Sequence, residues 1–287
     1  MSRPSAFLVV LNRGESDVTT LAKAARLVRS FGTALELFVC DAERAYALKH
    51  DYEESGRRDA MRECVANAKA YLSRQKSQID AADIAVSIDA VCESPLYEGI
   101  LHKAHKSRPE LVIKAVGGGD RPGHSHFDAN DWQLMHTCPA TLALVRDRPW
   151  RKRLHIATAI DVSDEETEGL AHTILGVAKR FAIATDAELD VIYAERAPID
   201  SPASRLRADT LHALAREASI ERDDVHILAG DPERHLAAFA AQRNYDLVVL
   251  GALAHRKGAV SLVGTLTSVL VEALACDFVL VMPETHR

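Results

Sequence analysis

The sequence lacks the residues and motifs that mark several common classes of protein. Its five cysteines, an odd number, form no C-x-x-C pair, which predicts free thiols in a reducing compartment and not a disulfide framework. Aromatic residues make up only 5% of the chain, and no apolar run approaches the length of a bilayer span. It contains no G-x-S-x-G or H-E-x-x-H motif and no sound Ser-His-Asp order, so nothing predicts hydrolytic chemistry.

The charge balance argues against broad contact with nucleic acid or membrane. The 41 acidic side chains outnumber the 35 basic ones, which leaves a net charge of -6 and no general basic face. The first apolar run, Ala6–Leu11, is too short for the hydrophobic core of a signal peptide. We therefore expect a cytoplasmic protein that binds neither nucleic acid nor membrane, although a local basic pocket for a phosphate remains compatible with this charge.

Short apolar runs alternate with longer amphipathic stretches, and this order occurs twice. Such alternation is typical of βαβ units on a parallel sheet, and its recurrence indicates internal duplication. The predicted strands are 7–11, 34–40, 84–91, 111–115, 141–145, 154–160, 188–194, 225–228, 247–250 and 278–282. The predicted helices are 18–31, 57–73, 96–106, 132–136, 168–181, 203–218, 233–242 and 266–275.

The two halves can be aligned in detail near their ends. The segment 109–114 (PELVIK) answers 245–250 (YDLVVL), and from there to Val145 and Val281 the halves align without a gap. The basic segment 146–153, with its helix-breaking proline, predicts the linker. The predicted domains are therefore residues 1–147 and residues 148–287.

Six segments together make the chain resemble the tandem universal stress protein family. They are 110–114 (ELVIK), 130–135 (NDWQLM) with Cys138-Pro139, 147–150 (DRPW), 246–251 (DLVVLG), 262–265 (LVGT) and 276–280 (CDFVL). The resemblance implies an α/β fold with two tandem open five-stranded, mostly parallel sheets and helices on both faces. This Rossmann-like architecture is shared with adenine nucleotide alpha hydrolases. The last predicted strand of each half would be an exposed edge, so an intramolecular pseudo-dimer of the two domains and a homodimer of chains are both expected contacts.

Some members of that family bind ATP through a loop with the pattern G-x-x-G-x9-G-[S/T]. Glycines let the backbone approach the phosphates, and the amides at the start of the next helix favour negative charge. In the second half the resemblance assigns a cofactor-binding role to Ile160, Asp161, Gly251, Ala254, His255, Gly258, Gly264, Thr265 and Thr267. Asp161 takes the acidic position after the first strand, and Thr267 supplies a second hydroxyl near the helix start.

Each half departs from this pattern, the first more than the second. Ala254 replaces the second glycine, which would cost about 1–2 kcal/mol if the backbone there were left-handed. Gly258 could absorb the turn instead, and the basic side chains 255–257 could offset phosphate charge. In the first half Ala115 replaces a loop glycine, Asn12 replaces the acidic residue, and Asp128 stands at the helix start, where a carboxylate would repel a phosphate.

Three hypotheses about function follow. The first is a non-enzymatic stress-response or regulatory binding module that takes at most one adenine nucleotide, such as ATP, in the second domain. The second is a nucleotide-dependent switch with weak ATPase activity, and the third is a scaffold that has lost ligand binding. No metal cofactor is expected beyond the magnesium that accompanies a nucleotide. Histidine, acidic and cysteine residues between 124 and 138 match no known zinc spacing, so a surface loop is the favoured interpretation there.

Overall fold

A computed structural model describes most of the chain, and its contacts divide the chain into two compact units. The units are Met1–Pro149 and Trp150–Arg287. The predicted boundary between residues 147 and 148 lies two residues before this division. The described residues are 6–51, 54–79, 83–116, 127–162, 169–196, 198–254 and 262–282.

The first unit alternates strands and helices, and its strands pair in parallel in the order β3-β2-β1-β4-β5. Its elements are β1 (Ala6–Val10), α1 (Ser16–Phe31), β2 (Ala34–Cys40), α2 (Ala42–Asp51), α3 (Glu54–Gln78), β3 (Val86–Val91), α4 (Leu96–Ser107), β4 (Leu111–Ala115), α5 (Ala129–Thr137) and β5 (Thr141–Val145).

The second unit repeats this topology, with its main strands pairing in parallel in the order β8-β7-β6-β9-β12. Its elements are β6 (His155–Ala159), α6 (Leu170–Thr185), β7 (Glu188–Glu195), α7 (Pro202–Glu217), a short 3-10 helix (Arg222–Asp224), β8 (Val225–Ala229), α8 (Pro232–Arg243), β9 (Leu247–Gly251), β10 (Leu253–Ala254), β11 (Leu262–Val263), α9 (Thr265–Ala273) and β12 (Asp277–Val281).

The predicted fold class is confirmed: the protein is an α/β protein whose mostly parallel strands carry helices on both faces. The division into two separate five-stranded sheets stays a prediction. The pattern missed α2, the 3-10 helix and the short antiparallel pair β10–β11, and it ended α3 five residues too early. In α2 only Ala45 and Leu48 are buried hydrophobic residues, so the element carries little apolar periodicity.

The central strands form the core of each unit. Leu8, Val9 and Val10 of β1 are completely buried, as are Val249 of β9 and Leu280 of β12. Parallel strands covered on both faces read as continuous apolar runs, which is why these segments were recognisable in the sequence. Among the described residues, no helix is both long and apolar enough to cross a bilayer.

Side-chain contacts hold the first residues of the second unit to its sheet. The indole Nε1 of Trp150 donates a hydrogen bond to Asp277 at 2.7 Å. The guanidinium of Arg151 pairs with the buried carboxylate of Asp246 at 2.9 Å, and that carboxylate also accepts the His155 amide. Trp150 therefore belongs structurally to the second unit, whereas the only other tryptophan, Trp132, lies on α5 of the first.

Candidate functional site

The described residues of the predicted nucleotide site gather at the carboxyl edge of the second unit. Ile160 and Asp161 follow β6, Gly251 ends β9, and α9 begins immediately after Gly264. Because parallel strands end at the same edge of a sheet, these positions face one region. His255 and Gly258 lie outside the described residues.

The first turn of α9 is tied to the end of β9. The hydroxyl of Thr267 donates a hydrogen bond to the carbonyl of Gly251 at 2.8 Å, and Thr267 is buried. The proton of this hydroxyl is therefore used within the protein. Thr267 fixes the approach of α9 to β9, and its hydroxyl proton is not free for a ligand phosphate.

Gly251 has a packing reason to be glycine. A Cβ at this position would lie 3.0 Å from Cδ1 of Ile174 on α6 and 3.7 Å from Cδ2 of Leu170. The shorter distance is tighter than ordinary van der Waals contact, so α6 packs close because the side chain is missing. The glycine alone therefore does not distinguish phosphate approach from helix packing.

The backbone at Ala254 is extended. Ala254 pairs with Leu262 in the antiparallel β10–β11 ladder. An extended backbone is open to any residue, so the strain that a left-handed conformation would impose on this alanine does not arise. The departure from the family pattern at this position carries no conformational penalty.

The start of α9 lacks a side-chain cap. Its N-cap residue is the buried Gly264, with φ -59° and ψ 142°, and there is no acidic residue in the first turn. The positive end of the helix dipole and its first amides are therefore not offset by a carboxylate from this turn. Nine residues of helix stand behind these amides, which is the arrangement that favours an anion.

The other side of this edge carries an acidic residue. Ile160 is buried, and its amide continues the pairing with β7 by donating to the carbonyl of Ile192 at 3.2 Å. The next residue, Asp161, is exposed at the end of β6. The family resemblance assigns nucleoside contact to this carboxylate, and that role stays a prediction.

A polar cluster at the end of β7 was missed by the sequence analysis. Glu195 is only 1% exposed, and its carboxylate receives Arg207 Nη1 of α7 at 3.1 Å and the hydroxyl of Tyr193 at 3.4 Å. Burial raises the pKa of Tyr193 to about 12, with further upward contributions from the charges of Glu195 and Asp161. The available signal was the glutamate that directly follows the apolar residues 191–194 at the end of β7.

The corresponding helix start in the first unit is capped by the chain itself. Asp128 accepts a hydrogen bond from the amide of Asp131 at 2.8 Å, while Asp131 accepts one from the amide of Asp128 at 3.0 Å. This reciprocal capping box uses carboxylates where the second unit has Gly264 and Thr267. Asp128, predicted to repel a phosphate, thus occupies an amide that a phosphate would need.

The region considered for zinc contains hydrogen-bonded and buried side chains. His136 Nδ1 donates to the carbonyl of Trp132 at 2.6 Å, and Cys138 is buried at the end of α5. Residues 124 and 126 lie outside the described part of the chain. Within the residues that the structure describes, no three histidine, cysteine or acidic side chains are arranged to hold a metal ion.

A second buried polar cluster of the second unit surrounds Asp190 of β7. Its carboxylate accepts the hydroxyl of Tyr245 at 2.5 Å and lies 3.2 Å and 3.3 Å from Nε2 of His155 and His226. Burial, followed by the hydrogen bond to Asp190, raises the pKa of Tyr245. These contacts join β6, β7 and β8 to Tyr245, two residues before β9, so the cluster stabilises the sheet.

Comparisons with known proteins agree with this architecture. Residues 153–282 match the model of the Universal stress protein family. Universal stress protein E from Photorhabdus laumondii subsp. laumondii is 23% identical over 305 residues, covering 99% of this chain and 96% of that protein.

Two solved structures show the same fold over nearly the whole chain. A candidate universal stress protein from Pseudomonas aeruginosa UCBPP-PA14 has a TM-score of 0.76 at 19% identity, covering 98% of this chain and 94% of that one. A universal stress protein from Archaeoglobus fulgidus DSM 4304 has a TM-score of 0.68 at 15% identity, covering 96% and 97%.

Fold and edge geometry define a Rossmann-like α/β protein that contains the same topology twice. The match over residues 153–282 shows that the second unit is similar to a universal stress protein domain. The similarity over the full length confirms that the whole chain resembles the tandem members of that family.

Proposed function

We propose that this protein is a non-enzymatic stress-response binding module whose second unit takes one adenine nucleotide, with ATP as the expected ligand. The observation that carries the proposal is the uncapped start of α9 beside the end of β9. In the first unit the aligned helix start carries Asp128 and Asp131, whereas α9 presents its amides behind Gly264 with no carboxylate in the first turn.

The phosphate end of this site would use the backbone. The first amides of α9 and the helix dipole supply the positive potential that a phosphate needs. Thr267 holds α9 in place through the Gly251 carbonyl, so its role is positioning. Magnesium would arrive with the nucleotide. The described part of this edge provides backbone amides for a phosphate and no cluster of carboxylates that would hold the metal ion first.

The nucleoside end would use the exposed carboxylate of Asp161. A carboxylate accepts hydrogen bonds from ribose hydroxyls, and open α/β sheets bind ligands outside the carboxyl ends of their strands. Glu195 is buried against Arg207 and Tyr193, so it would support the wall of the site while Asp161 meets the ligand. This division of roles agrees with the exposed and buried states of the two carboxylates.

The absence of turnover is part of the proposal. Phosphoryl transfer requires a positioned water and charge stabilisation that is stronger in the transition state than in the ground state. The acidic group of the site, Asp161, is assigned to the nucleoside, away from the terminal phosphate. The bound nucleotide would then stabilise a conformation or a complex and would not be consumed.

The test is ATP binding and hydrolysis by wild type beside Gly264→Asp. The variant imports the carboxylate of the first unit, which can cap α9 while repelling phosphate. We expect one ATP per chain by equilibrium dialysis for wild type, at least a tenfold weaker affinity for the variant, and no hydrolysis by either. Gly176→Asp is the matched control, because Gly176 is exposed on α6 with no atom within 4 Å of an added Cβ.

The outcomes separate the three hypotheses. Turnover in wild type that disappears in Gly264→Asp would favour the ATPase switch. No ATP binding by wild type would favour the scaffold that has lost its ligand. Two equivalent sites per chain would contradict the assignment of the site to the second unit alone.

A further inference from the structure

The first unit has a completely buried ion pair beside the start of α5. Lys114 is the fourth residue of β4 and is 0% exposed, as is Asp131 on the first turn of α5. Lys114 Nζ lies 2.6 Å from Asp131 Oδ1 and also donates to the carbonyl of Ala115 at 2.9 Å. A lysine this deeply buried needs such partners, because an unpaired ammonium in the interior is strongly unfavourable.

The pair does the work that a hydroxyl does in the second unit. In the gap-free alignment of the halves, Lys114 and Asp131 correspond to Leu250 and Thr267. Thr267 reaches the carbonyl at the end of β9 directly. In the first unit Lys114 donates to the corresponding carbonyl of Ala115. It also pairs with Asp131 of α5, so the strand and the helix are linked through the lysine.

A second carboxylate closes the loop after β1. Asp17 of α1 is buried and accepts the backbone amides of Asn12 at 3.0 Å and Arg13 at 2.9 Å, together with the Tyr71 hydroxyl at 2.6 Å. Asn12 stands where the family pattern has its acidic nucleoside contact. This end of the edge is therefore also organised by the protein's own carboxylate.

An ion pair joins the ends of β1 and β2. Arg13 Nη2 lies 3.1 Å from Asp41 Oδ2, and both side chains are partly exposed. This contact joins two adjacent strand ends at the carboxyl edge of the first unit. In the second unit, Asp161 lies at the corresponding edge. Three independent groups of contacts thus involve the carboxyl edge of the first unit.

We propose that the carboxyl edge of the first unit is closed by an internal substitute for a ligand. The carboxylates of Asp128 and Asp131 occupy the place of a bound phosphate at the start of α5, and Lys114 is the counter-ion of Asp131. Asp17 organises the loop after β1 in the same way. The first unit thereby holds α5 against β4 without any nucleotide, and this closure does not depend on nucleotide binding by the second unit.

The experiment replaces the pair with the residues of the second unit and monitors α5 itself. In a Trp150→Phe background, Trp132 is the single tryptophan and lies on α5 beside Phe127, with ring centroids 6.2 Å apart. Lys114→Leu, Asp131→Thr and the double variant are compared by urea unfolding of the full chain. The control is Asp59→Thr, which breaks an exposed pair with Arg62 in the same unit.

Each single variant leaves one buried charge unpaired, so both should shift the Trp132 transition to lower urea. The double variant should recover most of that loss, because it buries no charge and its threonine can reach the Ala115 carbonyl. ATP should leave the wild-type Trp132 midpoint unchanged, and Asp59→Thr should leave it where it was. Three outcomes would each overturn the proposal. They are losses that add in the double variant, single variants that are as stable as wild type, and a Trp132 midpoint that ATP raises. If a single variant does not fold, Asp131→Asn serves in its place, and wild-type stability for it would count against the pair.

Discussion

Replacing Gly251 by alanine separates its packing role from its proposed role in ligand approach. The added Cβ would meet Ile174 Cδ1 at 3.0 Å, so α6 or the isoleucine side chain must shift by a few tenths of an ångström. Overpacking of this kind costs about 1–3 kcal/mol, with the lower end expected because the contact is the tip of a flexible side chain. Reduced entropy of the unfolded chain offsets about 0.4–1 kcal/mol. We expect a net loss of roughly 0–0.6 kcal/mol.

The second substitution in this cycle removes the atom that collides. Ile174→Val deletes Cδ1 and costs about 0.5–1.5 kcal/mol alone, since it leaves a small cavity. In the double variant the alanine Cβ occupies part of that cavity. We therefore expect the double variant to be about 1 kcal/mol more stable than the sum of the two single losses, a coupling typical of side chains in contact.

Urea unfolding in a Trp132→Phe background measures this cycle, because Trp150 then reports on the second unit. With a denaturant dependence of about 1–3 kcal/mol per molar urea, a 1 kcal/mol change shifts the midpoint by roughly 0.3–1 M. ATP affinity is measured on the same four proteins. If the double variant is stable and binds ATP like wild type, Gly251 is glycine for packing; if it is stable and binding is lost, the glycine serves ligand approach. Strictly additive losses would refute the contact on which the argument rests.

Two further predictions concern buried ionisable side chains. Burial raises the pKa of Tyr193 from 10.0 to about 12, so the folded protein keeps a proton that the unfolded chain releases. Stability of the second unit should therefore fall as the pH rises from about 10 to about 12, and Tyr193→Phe should flatten this slope; an unchanged slope would contradict the assignment. All five cysteines are buried thiols, and burial raises the pKa of Cys40 to about 12 and of Cys138 to about 11. A thiol reagent at about pH 8 should label none of them quickly in native protein and all of them in urea, so a fast-reacting native thiol would refute this.

The sequence was most informative where a pattern is local. Short runs rich in apolar residues identified all ten main strands, and the three segments 34–40, 111–115 and 141–145 have the predicted bounds. The glycine and threonine positions at the start of α9 were also recognisable, because the family pattern fixes their spacing. The alignment of the halves placed Asp128 at the start of a helix, and Asp128 is the N-cap residue of α5.

The features that escaped prediction depend on contacts between distant residues. Lys114 ends an apolar run and would ordinarily mark the surface end of a strand, yet Asp131 on another element allows it to be completely buried. Glu195 likewise depends on Arg207, which is twelve residues away on α7. A charged residue in a sequence does not reveal whether an oppositely charged side chain lies beside it in the interior. Such buried pairs are therefore recognised only in the three-dimensional structure.

The buried pair of the first unit also bears on how a chain with two similar halves packs each helix on its own strand. The strands β4 and β9 each begin with three aliphatic residues, and α5 and α9 have the same length. If α9 were to pack on β4 during folding, Lys114 would be buried opposite Thr267 with no carboxylate. If α5 were to pack on β9, Asp131 would be buried against Leu250 with no ammonium. Each exchange leaves an isolated charge in the interior, and removing one partner of a buried pair costs about 3–5 kcal/mol. Lys114 and Asp131 therefore favour the packing of α5 on β4 over either exchanged arrangement.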